Sequence, residues 1–162
     1  MPMLKVKPFR QKAGLCGVAS LKMVLEYFGC QKSEAELIKL TGATTGQGTS
    51  AQGIKKAAQK LGFSVKVKDK ADFQDIKYWL VKKVPPMVDW FSPFGAPEGH
   101  YSVVVGLDKN FIYLQDPEIA GVRKIKKQDF KRIWFDFEGD FIKNRNDLIL
   151  RRLLVLEKNG KN

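Results

Sequence analysis

The apolar residues of this 162-residue chain change their spacing at Gly62. Before it they recur at intervals of three and four, the period of helices with one buried face. After it they alternate in short runs, the period of strands. Helices in front and strands behind can bury their apolar faces only against each other, which predicts an α+β arrangement. A helical N-terminal half is expected to pack on a mostly antiparallel β-sheet in the C-terminal half.

Val18, Leu21, Leu25 and Phe28 predict a first helix over residues 15–28, stopped by Gly29. Lys22 and Glu26 stand as an i,i+4 pair on its outer face. Ser33-Glu34-Ala35-Glu36 has the form of a capping box and opens a second helix through Leu40. Ser50 caps a third, over residues 51–61. Residues 4–9 read as a short edge strand or an extended lead-in, limited by Pro8.

Beyond Gly62, Phe63, Val65 and Val67 alternate with Ser64, Lys66 and Lys68, which reads as a half-buried strand. Residues 72–83 are helical, with Phe73, Ile76 and Leu80 on one side, and residues 84–91 form a buried strand. Strands over 101–107 and 111–114 flank the turn Asp108-Lys109-Asn110. A short helix over 127–135 and a final strand over 150–156 complete the chain. With no internal repeat or linker, residues 1–162 are expected to form one domain.

Composition excludes several classes of function. A hydrophobic fraction of 44% with eleven phenylalanines and three tryptophans is that of a folded chain. Apolar runs are too short to span a bilayer, and residues 1–7 lack the apolar core of a secretory signal. Two cysteines make no disulfide framework, so a reducing, cytoplasmic location is expected. The net charge of +12 raises the question of an acidic partner. Its densest cluster, Arg123-Lys124-Ile125-Lys126-Lys127, lacks the interleaved aromatics of a single-strand binder. A lysine-rich solvated surface is therefore the reading, and no nucleic-acid partner is expected.

Three residues carry the chemistry. Cys16 falls in the first turn of the first helix, where unpaired backbone N–H groups and the helix dipole favour an anion. A thiol attacks only as the thiolate, and a neighbouring imidazolium favours that form. His100, the only histidine, opens one strand of the 101–114 hairpin, and Asp116 closes the other. Folding about the turn brings them within diagonal reach, where the acid can orient the imidazole. Gln11 precedes the thiol and could present its amide beside the Cys16 N–H as an oxyanion hole. Gly17 and Gly99 are expected to leave room for a substrate backbone.

Each residue alone has a plainer reading: a core thiol, a strand-end histidine, a turn aspartate before Pro117, an exposed glutamine. Their order and their placement at element ends favour the nucleophile system. Cys30 reads as structural. Two cysteines fourteen positions apart and one histidine match no zinc spacing, and no phosphate or dinucleotide loop is present. No metal and no cofactor are expected.

The chain resembles the papain-fold cysteine peptidases of the bacteriocin-processing, double-glycine type. Cys16-Gly17-Val18-Ala19-Ser20-Leu21 with Tyr27-Phe28-Gly29 is similar to that family's opening helix. Gly48-Thr49-Ser50, Ala57-Ala58 and Leu61-Gly62 resemble its second block. The run from Gly99 to Gly106 and Asp116-Pro117 resemble its histidine and aspartate blocks, and residues 130–134 the segment after them. The resemblance implies a papain-like fold with the substrate peptide between its halves. It also implies Cys16 as nucleophile, His100 as general base and acid, Asp116 as orienter and Gln11 as oxyanion donor. The family's glutamine usually lies six residues before the cysteine. Here Gln11 lies five before it, and Arg10 holds the usual place. The best-known members are fused to a membrane transporter with an ATPase domain, and this chain is expected to be a free-standing member.

The expected function is hydrolysis of peptide bonds, after small residues such as Gly-Gly, through an acyl-enzyme. The alternatives are an inactive peptide-binding homologue and an acyl or peptidyl transferase using the same thiol. The partner in each case is a peptide or protein substrate.

Overall fold

The computed structural model describes residues 2–95 and 98–159. Three helices come first: α1 (Cys16–Tyr27), α2 (Glu34–Thr41) and α3 (Ala51–Lys60). Strand β1 (Phe63–Lys68) and helix α4 (Phe73–Val81) follow, then β2 (Met87–Ser92), β3 (Glu98–Leu107), β4 (Phe111–Asp116) and β5 (Gly121–Lys126). Helix α5 (Lys127–Ile133), β6 (Phe135–Phe137), a 3-10 turn (Arg145–Asp147), β7 (Leu148–Leu150) and β8 (Arg152–Lys158) complete the order.

Local chemistry accounts for the helix starts. Ser33 and Glu36 form the capping box of α2, and Asp72 and Asp75 form another at α4. Ser50 Oγ accepts the Gly53 N–H at 2.9 Å and caps α3. The expected Lys22–Glu26 pair gives way to a longer-range contact. Lys22 donates to the Lys32 carbonyl at 2.6 Å, and its ammonium lies 5.1 Å from the centre of the Phe9 ring. Residues 4–9 add no strand: they run extended, with Leu4 N–H donating to Val105 O at 2.8 Å.

The main sheet has the order β1-β8-β2-β3-β4-β5, with every neighbouring pair antiparallel. The last strand therefore inserts between the first two, beside β1 and β2. Helices α1–α3 cover one face: Val18, Leu21, Leu25 and Ile54 pack with Met87, Val103, Val105, Leu154 and Leu156. Helices α4 and α5 cover the other, where Ile76, Leu80, Phe130 and Trp134 pack with Val88, Trp90, Val104, Leu114 and Val155. Successive residues of β3 and β8 thus enter opposite cores. This is why their sequences read as unbroken apolar runs instead of alternating ones.

Two strand readings need correction. Strand β1 alternates in sequence but is largely exposed after Phe63, because it is the edge strand. The basic run at 123–127, read only as solvated surface, also holds a strand that the sequence reading did not assign. It contains most of β5, which pairs with β4 and brings Arg123 opposite Leu114.

Phe130 anchors α5 beneath the sheet, with its ring 5.8 Å from Trp90 and 5.4 Å from Trp134. It is wholly buried. Phe130→Ala should cost about 3–5 kcal/mol of unfolding free energy, as for other buried aromatic truncations, read from urea-unfolding midpoints.

Candidate active site

Helix α1 begins at Cys16, and its N-cap, Leu15, supplies no side-chain hydrogen bond, whereas α2, α3 and α4 are each capped by a side chain. The open N–H groups and the positive end of the dipole therefore lie at the thiol. The helix start is pressed onto β3: Tyr101 N–H donates to Cys16 Sγ at 3.4 Å. A Cβ on Gly17 would lie 2.7 Å from Thr49 Cβ and 3.2 Å from the Tyr101 ring. Gly17 is thus required by the chain's own packing, and the room expected there for a substrate is filled.

His100 is the third residue of β3 and is buried. Gln115 pairs with Val103, so Asp116 at the end of β4 reaches His100 diagonally. Nε2 of His100 lies 2.6 Å from Asp116 Oδ1. That leaves Nδ1 as the ring nitrogen available to the thiol. The Trp90 ring backs the imidazole edge-on, with centroids 5.6 Å apart, and its own Nε1 donates to Ser102 Oγ. Burial works against a charged imidazole. Hydrogen bonds to Asp116 and Cys16, together with their charges, outweigh it and raise His100 to about 10. Burial likewise opposes ionisation of Asp116, but bonds from His100, Glu118 N–H and Arg123 hold its carboxyl below the usual range.

The structure therefore brings Cys16, His100 and Asp116 together. Gln11 enters from the turn after the acid: its N–H donates to Pro117 O at 2.9 Å. Its side chain donates to the Lys12 carbonyl at 3.4 Å, and Oε1 is buried without a hydrogen-bond partner. Arg10 is turned away from the thiol, donating to the Glu118 and Ile119 carbonyls. Cys30 packs at the edge of the helical core as a free thiol. Among the described residues no group of three or more His, Cys, Asp or Glu side chains could hold a metal ion.

Sequence reasoning missed a second set of groups. Asp89 on β2 pairs in register with Tyr101 and with Arg152 and is 2% exposed. The carboxylate of Asp136, on β6, lies where a Cβ of Gly99 would be. Gly99 too is thus explained by a protein group beside it, not by substrate room. Asp89 Oδ1 is buried without a hydrogen-bond partner. Burial first, then the Asp136 and Cys16 charges, push Asp89 well above the ordinary carboxyl range, against the pull of Arg152. An aspartate between Val88 and Trp90 in a buried strand was the available signal. Asp136 gave none, since its role depends on β6 crossing the end of β3.

The peptidase C39 family model matches residues 8–137. The chain belongs to that family. It is a cysteine peptidase domain, and its relatives bear this out. A lactococcin transport/processing ATP-binding protein, LcnC-like, of Lactococcus lactis is 38% identical over 120 residues, 74% of this chain and 16% of that protein. The chain thus spans about a sixth of the length of such transporters. An uncharacterized protein of Methanothermobacter marburgensis is 32% identical over 77% of this chain and 80% of its own length. The crystal structure of the peptidase domain of Streptococcus ComA superposes with a TM-score of 0.73 at 28% identity, covering 95% of this chain and 99% of that one. A double-glycine-motif protease from an AMS/PCAT transporter, in complex with its leader peptide, shares the fold with a TM-score of 0.71 at 23% identity. The α+β, papain-like expectation is met, with an antiparallel sheet throughout. No described helix is long and apolar enough to cross a membrane.

Asp89 sets a pH dependence of stability. Its carboxyl titrates near 4 when unfolded and higher when folded, so between these values the folded state holds the extra proton. Stability should therefore fall as pH rises above about 4. Asp89→Asn should remove that part of the decline, so its unfolding midpoint gains on the parent as pH rises from 4 to 8.

Proposed function

We propose that this peptidase domain cleaves peptide bonds after paired small residues, such as Gly-Gly, through a Cys16–His100–Asp116 triad and a thioester intermediate. The observation that carries the reading is the buried His100–Asp116 hydrogen bond at 2.6 Å, set against a thiol at an uncapped helix start. A histidine held charged by two anionic neighbours is suited to donate a proton to a departing amine and to pair with a thiolate.

Cys16 Sγ attacks the scissile carbonyl carbon, and the carbonyl electrons move to oxygen. The Cys16 N–H, an unpaired helix-start donor, and the Gln11 amide N–H donate to that oxyanion. As the intermediate collapses, His100 gives its proton to the amine nitrogen and the C–N bond breaks, leaving a thioester. Water then adds to the thioester as His100 takes its proton. The C–S bond breaks and the acid product leaves. Asp116 holds the imidazole through Nε2 throughout, which keeps Nδ1 toward the sulfur. The double-glycine-motif protease from an AMS/PCAT transporter, seen in complex with the leader peptide, supports a leader peptide with such a motif as the substrate class. The free thiols fit a reducing, cytoplasmic setting.

Cys16→Ala should abolish labelling by an electrophilic Gly-Gly peptide probe and lower kcat/KM for a Gly-Gly substrate by about four to six orders of magnitude. His100→Gln should do the same to turnover. Labelling that persists in Cys16→Ala would overturn the assignment. In the parent protein, activity should persist into alkaline solution and fall as the imidazolium is lost near about pH 10. A pH–rate profile of kcat/KM reads this limb, and a fall near the ordinary histidine value of about 6.5 would count against it.

A further inference from the structure

Asp116 is wholly buried, and its two oxygens have different partners. Oδ1 accepts from His100 at 2.6 Å and from the Glu118 N–H at 3.0 Å. Oδ2 accepts from Arg123 Nε at 2.5 Å. The same guanidinium donates through Nη2 to Glu118 Oε1 at 2.5 Å, and its carbon lies 4.4 Å from the centre of the Phe94 ring. Its side chain is only 15% exposed. We propose that Arg123 is the positioning residue of the site: clamped between Glu118 and Phe94, it holds Oδ2 of Asp116 so that Oδ1 faces His100. The inference rests on the reading of Cys16, His100 and Asp116 as the working groups.

During turnover His100 alternates between charged and neutral. In its neutral phase a buried carboxylate bound only to the imidazole would lack a compensating charge, which is costly. Arg123 supplies a positive charge that does not titrate in the working range. Counted outward, the groups alternate in sign: thiolate, imidazolium, Asp116, Arg123, Glu118. The Nε–Nη2 edge spans two acids two positions apart in the chain, Asp116 and Glu118, a fork that an ammonium cannot reproduce. Arg123 lies on β5, Asp116 ends β4 and Phe94 precedes β3, so one side chain ties together the three segments around the histidine.

The test uses Arg123→Gln and Arg123→Lys in the full chain. His100 is the only histidine, so one downfield imidazole N–H proton resonance reports its bond to Asp116. In Arg123→Gln that resonance should move upfield and exchange faster with water, and Arg123→Lys should be intermediate. With a Gly-Gly peptide, kcat of Arg123→Gln should fall about 10- to 100-fold with KM little changed, and Arg123→Lys should recover part of it. A purely structural role would lower the folded fraction without moving the resonance of the folded protein. An unmoved resonance, or a parental kcat in Arg123→Gln, would overturn the inference. Should Arg123→Gln not fold, Arg123→Lys decides by the same resonance. The two readings fail separately. A resonance that responds to Arg123 in a protein without Cys16-dependent cleavage overturns the peptidase reading, while cleavage with an unmoved resonance overturns only the role of Arg123.

Discussion

Strand β3 is the element on which the rest depends. From Tyr101 to Leu107 it is buried on both faces, Val103 and Val105 entering the helical core and Val104 the core beneath α4 and α5. A strand fixed by two cores has one register, because a one-residue slip would exchange every side chain between them. Its first residues inherit that rigidity. His100 cannot shift without moving Val103 and Val104, and the helix start carrying Cys16 rests on the next residue, Tyr101. The relative position of thiol and imidazole is therefore set by core packing, where positional precision is highest.

How much of this was legible in the sequence follows from range. The starts of α2 and α3 are decided within a few residues, by Ser33 and Ser50, and were readable as such, whereas the Asp72 cap of α4 was counted into its helix. The proximity of His100 and Asp116 was readable because a hairpin relates them. The insertion of β8 between β1 and β2 was not, since strand order is decided by burial over the whole chain. Arg123 hid for the same reason. In sequence it is one cation in a basic run, and only the pairing of β5 with β4 turns it toward Asp116. Gly17 and Gly99 were noticed, but their cause was not. Thr49 and Asp136 approach them from segments far along the chain.

Gln11 lies on a segment whose anchor is outside helix α1. The segment holding it is fastened to the turn after Asp116 by the Gln11 N–H and by the Arg10 guanidinium, not by helix α1. Its distance in sequence from Cys16 is therefore a weak constraint, since the turn from Lys12 to Leu15 can take up one residue. The constraint that matters is the strap onto residues 117–119. Arg10 and Gln11 thus divide the work, one fastening the strap and the other carrying an amide whose Oε1 is already buried.

The Asp89–Asp136 pair makes the converse point about stability. A carboxyl held far above its ordinary range beside a thiol lowers the stability of the fold at neutral pH, and an apolar side chain in β2 would remove that cost. Phe91 stacks on Phe135 and Phe137, with centroids 5.2 and 5.7 Å apart, so β6 is already held to β2 by apolar contacts. The acid pair is not needed to fasten it. What the pair adds is a polar wall on the side of β3 opposite the Asp116–Arg123 arm. The imidazole and thiol therefore sit between two carboxyl groups pushed in opposite directions: Asp116 lowered by its hydrogen-bond partners, Asp89 raised by burial.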